Sequence, residues 1–317
     1  MTRVRVLEGT AARASIEAAA HKADRPVFDS TPWYSAWWHS FGDAEQALAL
    51  APEGRAGWLV PLSLTREAGQ VTLRSCGEPL ADRHSVLGSG ATLDRNDAAQ
   101  IVTTLASLGY EVLMEGLSGD DPATGRVIQA MRDAGWHVEP EACPLLDARR
   151  RVAAADRRVR RFSRSFPEAD VALIGGNNLT QTLVAEFLAR RATRLVETGR
   201  WDDFPFFQKR PEFGERFTRL VLELAAKDCA RILALRIRDW IVAEDLYIGP
   251  PERPVLYFRT YAPELARYSP GRTLLDHAVG HPVHQACHAI DLGRGGEPYK
   301  FDAGGDDSFV ISASLPR

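Results

Sequence analysis

Between residues 255 and 300 the chain runs VLYFRTYA, then the turn RYSPG, then RTLLDHAV and finally AIDLGRGGEPYK. An alternating strand that passes through Ser269, Pro270 and Gly271 into a helix start aims several backbone N–H groups at one spot, where a pyrophosphate fits. That arrangement suggests a coenzyme A site. Four histidines follow, His277, His281, His284 and His288, in the pattern H-x-x-x-H-x-x-H-x-x-x-H with Cys287 nearby. Pro282 interrupts any helix that would gather them, and no carboxylate or cysteine spacing completes a familiar ligand set, so no metal is expected. Near the start, Trp33, Trp37 and Phe41 recur at helical spacing and read as core. Trp38 is then left to face a sugar or acyl group.

The elements that must position these groups follow from periodicity. From residue 170 onward, ADVALIGG is a strand ending in glycines, and Asn177 or Asn178 caps a helix that Gly199 closes. Residues 211–228 form a second helix with Phe217, Leu220, Val221 and Leu224 on one face. Three strands come next, RILALRIRD, WIVAEDLYIG and PVLYFRTYA, and the SPG turn, a helix, HAIDLG, a short EPYK segment and a last strand SFVISASL complete the passage. The first half repeats that order loosely without sequence identity: strand RVRVLEG, two helices, three strands, a helix, strand YEVLMEGLS and helix TGRVIQAMRDAG. The segment DARRRVAAADRRVRRFSRSFPEAD lies between the halves. As a helix it carries an apolar stripe of Val152, Val159, Phe162 and Phe166, and a cationic stripe of Arg157, Arg160, Arg161 and Arg164 that either is solvated or meets phosphate or carboxylate. The boundary falls near residue 148, giving an acceptor-side domain over 1–148 and a donor and catalytic domain over 149–317.

Composition bounds the rest. A chain of 317 residues suits two domains, and 45% hydrophobic with 26% charged residues is ordinary globular usage. A net charge of −3 argues against coating DNA or membranes wholesale, so any polyanion contact is local. Cys76, Cys143, Cys229 and Cys287 have no C-x-x-C spacing, which fits a reducing cytoplasm. Neither a signal peptide nor an apolar membrane-spanning run is expected.

Five stretches together resemble the CelD/BcsL group of GNAT-type acyltransferases, the BioF2-like acetyltransferases related to the FemABX aminoacyl transferases. They are TPWYSAWWHSFG, EPLADRHSVL, RRVRRFSRS, YAPELARYSPGRTLL and DLGRGGEPYK, and they bracket residues 28 to 300. The resemblance implies an α/β fold of tandem GNAT-like domains, each a mixed twisted sheet flanked by helices, with a cleft between them. It implies transfer of an acyl group, acetyl first among them, from acyl-CoA to an amine or hydroxyl of a sugar, amino-sugar or amino-acid-like acceptor, with polysaccharide or specialised metabolite synthesis as the process. A splayed strand in this fold lends backbone groups to pantetheine, which assigns Tyr257, Arg259 and Tyr261. The helix start takes the pyrophosphate, which assigns Ser269, Gly271, Arg272 and Thr273. The usual Q/R-x-x-G-x-G/A loop is represented by Gly271 alone, so a Fem-like transferase using aminoacyl-tRNA stays open, as does a binding module without catalysis.

Direct transfer needs a proton acceptor and stabilisation of the thioester oxyanion. Asp82, His84, Glu244, Asp245 and Asp291 are candidates for the first task, with Asp291 and Asp82 matching the family pattern best. Lys300, beside Tyr299 in an aromatic-lysine pair like one lining the Fem active site, suits the second, and Tyr268 and Tyr261 are candidates to protonate the leaving thiolate. Trp38, His84, Glu244 and Tyr299 are the expected acceptor contacts.

Overall fold

A computed structural model describes residues 3–21, 26–43, 45–67, 69–88, 93–148, 153–200, 212–280 and 287–316. They divide into two compact units. The first takes in Met1–Pro144, Arg294–Gly296 and Asp307–Arg317, and the second Leu145–Gly293 and Glu297–Asp306.

The first unit holds strands β1 (Val4–Glu8), β2 (Glu45–Pro52), β3 (Trp58–Glu67), β4 (Gln70–Ser75), β5 (Leu87–Gly88), β6 (Glu111–Leu117), β7 (His137–Ala142) and, from late in the chain, β14 (Phe309–Leu315). Their order is β1-β2-β3-β4-β6-β14-β7, with β5 on β3. Only β4 and β6 run parallel among these pairs. Helices α1 (Gly9–Ala20), α2 (Thr31–Phe41), α3 (Arg95–Ser107) and α4 (Pro122–Asp133) complete it. The starts of α2, α3 and α4 are chemically marked. Ser30 and Asp121 accept from N3 backbone N–H groups ahead of Pro32 and Pro122, and Asp94 and Asp97 form a reciprocal capping box. Leu48, Leu50, Leu62, Leu64, Leu73, Val112, Met114 and Ile311 bury one sheet face against Ile101, Leu105, Val127 and Met131 of α3 and α4. On α2, Trp33, Trp37 and Phe41 stack at 6.1 and 4.5 Å, all nearly solvent-free.

The second unit holds β8 (Leu145–Asp147), β9 (Ala169–Gly175), β10 (Ala230–Ile237), β11 (Trp240–Ile248), β12 (Val255–Tyr261) and β13 (Ala289–Asp291), in the order β8-β13-β12-β11-β10-β9. Helices α5 (Ala153–Ser165), α6 (Gln181–Glu197), α7 (Phe213–Ala225), α8 (Pro270–Gly280) and α9 (Pro298–Asp302) surround the sheet. Phe162 of α5 and Leu274, Leu275 and Ala278 of α8 pack against Leu233, Leu235, Val242 and Tyr247. The Phe217, Leu220, Val221 and Leu224 face of α7 is fully buried.

Two local expectations differ. Residues 176–178 form a 3₁₀ turn, and Thr180 rather than Asn177 or Asn178 caps α6, its hydroxyl accepting from Leu183 N–H. The strand SFVISASL, placed by its position in the chain at the end of the second passage, pairs instead between β6 and β7 of the first unit. Alternation sets which face a strand buries and is silent on its neighbours.

Candidate functional site

Strands β12 and β13 run parallel and pair at Val255 and Asp291. Beyond that point β12 keeps β11 on one edge, from Leu256 to Tyr261, and no described strand pairs with the other edge. The 3₁₀ turn Pro263–Tyr268 then leads to Ser269, whose φ of 52° turns the chain into α8. Ser269 carbonyl accepts from Thr273 N–H at 2.9 Å, closing the first turn. A Cβ on Gly271 would lie 3.4 Å from both Arg259 Cδ and Tyr261 Cδ1, so the helix start sits directly against β12. Thr273 is fully buried, and its Oγ1 has no hydrogen-bond partner among the described residues.

Guanidinium groups dominate this edge. Arg259 makes two 2.7 Å bonds to Asp245, its cross-strand partner on β11, and Tyr247 hydroxyl approaches the same carboxylate at 3.4 Å. Desolvation pulls the Arg259 pKa down, but the Asp245 charge outweighs it and the guanidinium ends above its ordinary value. Arg190 of α6 holds Glu244 through bonds of 2.7 and 3.0 Å. Burial still leaves the Glu244 pKa above the usual carboxylate range. Arg191 Nη1 donates to Arg259 carbonyl at 2.7 Å and lies over the Phe258 ring, while Arg194 Nη2 donates to Tyr261 hydroxyl at 2.6 Å. Arg272 bonds Asp276, which Arg158 also grips, and Tyr299 carbonyl. The Tyr299 ring faces Arg259 at 5.3 Å, and burial pushes its phenol pKa up.

The sequence candidates therefore separate into groups. Arg259, Tyr261, Gly271, Arg272 and Tyr299 come together around the start of α8. Lys300, 2% exposed, donates to Gly293 carbonyl at 2.9 Å and pairs with Glu297 at the same distance. Asp291 Oδ1 accepts from Gly293 N–H, so both ends of DLGRGGEPYK fold onto one glycine. Tyr257 packs on Phe217 and Phe258, and Tyr268 on Phe166 and Arg267. Of the four histidines, His281 and His284 lie outside the described residues. Among the described residues no group of three or more His, Cys, Asp or Glu side chains is arranged to hold a metal. Arg190, Arg191 and Arg194 escaped the sequence reading, although ARRATR on a helix facing an aromatic strand was a legible signal.

Trp38, Asp82 and His84 belong to the first unit. Trp38 is 8% exposed beneath the Arg13 guanidinium. His84 Nε2 meets Glu78 at 3.0 Å, both side chains being buried. Arg294, from the motif that also supplies Lys300, reaches Glu78, Glu115 and Glu141 at 3.5, 3.2 and 2.9 Å, with Asp82 adding to the same negative field. Gly116 lets this cluster form. Its φ is 69°, and a Cβ there would stand 2.8 Å from Asp82 carbonyl, so Gly116→Ala is expected to cost about 2 to 3 kcal/mol in urea unfolding.

Residues 147–301 match the family described as Acetyltransferase (GNAT) domain. The chain has a tandem GNAT-like fold. FemX superposes with a TM-score of 0.60 at 8% identity, covering 98% of this chain and 97% of FemX. A tandem GNAT protein from the clavulanic acid biosynthesis pathway gives 0.57 at 10% identity, covering 99% and 98%. A conserved protein of unknown function from Bacteroides thetaiotaomicron gives 0.59 at 13% identity over the whole of both chains. At these identities the likeness concerns the GNAT fold alone. No curated protein matches the chain. No described helix is long and apolar enough to cross a membrane.

Proposed function

We propose that this protein is a GNAT-type, acyl-CoA-dependent acyltransferase of the CelD/BcsL type, working in the cytoplasm on an amine or hydroxyl of a sugar, amino-sugar or amino-acid-like acceptor. The observation that carries this reading is the β12 edge that no described strand pairs beyond Val255, leading through the 3₁₀ turn Pro263–Tyr268 to the α8 start. An extended edge offers backbone donors and acceptors to the pantetheine amides, and the N–H groups of Gly271 and Arg272, with the Arg272 side chain, suit the pyrophosphate. The acceptor nitrogen or oxygen attacks the thioester carbonyl. Its bond to carbon forms, the carbon–sulfur bond breaks, the thiolate leaves and the acceptor proton passes to a base. Asp291, at the point where β12 and β13 part, is the base in this proposal. Lys300 acts as a positioning residue through Gly293 carbonyl, which keeps the Asp291–Gly293 turn in shape.

Calorimetric titration with acetyl-CoA, longer acyl-CoAs and free CoA tests the donor, and no binding by any of them would sink the reading. Asp291→Asn is expected to lower kcat by about 10²-fold or more with little change in KM. Equal loss of folded structure by circular dichroism would instead make Asp291 a turn-former only. One observation favours a Fem-like second reading: Arg157, Arg160, Arg161 and Arg164 all stand exposed on α5. Steeply salt-dependent tRNA binding without CoA binding would select it.

A further inference from the structure

The arginines of α6 do something that bare acetyl transfer does not require. Arg191 and Arg194, three residues apart, leave one helix face and both reach residues 258–261 of β12. Arg190 beside them is already matched by Glu244, and Arg259 by Asp245. Arg194 is half-buried and meets no carboxylate among the described residues. Its described contacts are the hydroxyl and ring of Tyr261. Because the Tyr261 oxygen accepts from Arg194, the phenol proton remains available to a further acceptor. Arg194 and Tyr261 thus present adjacent donors, and a guanidinium fork matches a carboxylate in shape as well as charge. The surroundings reward an anion. Burial, with Arg200 adding like charge against the opposing pull of Tyr299, brings the Arg191 pKa down to about 10.

We propose that Arg194 and Tyr261, with Arg191 alongside, form a subsite for a substrate carboxylate. The inference rests on the acyltransferase reading of the β12 edge and narrows it. The carboxylate belongs either to a dicarboxylic acyl group on the thioester or to an amino-acid acceptor, the binding chemistry being the same.

Calorimetry on the full chain with two matched pairs separates these sources: succinyl-CoA against acetyl-CoA, and L-alanine against ethylamine in the presence of free CoA. The expected result is a preference of about tenfold or more for the carboxylate-bearing member of one pair. In Arg194→Gln that ratio falls toward unity, and Arg194→Lys restores part of it. A thermal melt confirms that each variant is folded, and Tyr261→Phe supplies a second variant that should shrink the same ratio. Preference within the donor pair assigns the acyl group; preference within the acceptor pair assigns the amino acid. Acetyl-CoA binding with no preference in either pair, or with a preference indifferent to Arg194→Gln, overturns the subsite and leaves the acyltransferase reading intact. Absence of all CoA binding removes both.

Discussion

Asp245→Ala is expected to lower the unfolding free energy by about 3 to 5 kcal/mol, measured by urea titration. The Asp245 side chain is wholly buried and Arg259 nearly so, and the two make a bidentate pair at 2.7 Å on adjacent strands. Removing the carboxylate strands a guanidinium in a place where water cannot replace it. Tyr247 hydroxyl, which approaches the same carboxylate, loses that contact as well. A paired replacement, Asp245→Leu with Arg259→Leu, is expected to recover most of the loss, because two apolar groups leave no charge uncompensated. If the double variant were as unstable as the single one, packing around the pair rather than its charge would be the cause. CoA binding separates the two further. The double variant should fold yet bind the donor poorly, since Arg259 borders both Gly271 and Tyr299.

Arg294→Met should cost a similar amount, about 3 to 5 kcal/mol, in the first unit. One guanidinium there faces Glu78, Glu115 and Glu141, and Glu78 has no solvent exposure at all. Its loss leaves carboxylates facing one another with Arg74, 3.8 Å from Glu115, as a remaining cation. The deficit should depend on pH with a definite sign. Burial first, and the charge of Glu78 second, already raise the Glu115 pKa above 4.5, while Arg294 opposes them. Without Arg294 it rises further. A carboxyl whose folded pKa exceeds its unfolded one binds more protons when folded, so stability grows as pH falls through that window. The Met variant should therefore regain part of its lost stability between neutral pH and about pH 5. A deficit that stays flat over this range would show that shape, not charge, is what Arg294 supplies.

Much of this was legible in the sequence, and the limits have physical reasons. Alternation in RILALRIRD, WIVAEDLYIG and PVLYFRTYA reveals three strands, and the four-residue spacing of Trp33, Trp37 and Phe41 reveals a buried stripe. The SPG turn announces a helix start, and α8 begins there. Pairing across long separations is another matter. Nothing near Arg294 says that it will meet Glu78, more than two hundred positions earlier, and nothing near Arg194 says that Tyr261 hydroxyl will accept its hydrogen bond. Lys300 illustrates the same limit, because a lysine in a motif can as well brace a loop as touch a substrate. Its bonds to Gly293 carbonyl and Glu297 are contacts that the motif does not announce.

The late strand between β6 and β7 sets an order of events on the ribosome. Within the described pairings β7 has β14 as its neighbour, so the first sheet stays open at that end until residues 309–315 have emerged. By then every strand and helix of the second unit has been synthesised. The half encoded first is thus obliged to finish last, and until it does the exposed edge of β6 offers unsatisfied backbone groups to any passing chain. A chain truncated before residue 309 should be protected from protease in its second unit and cut readily near β7.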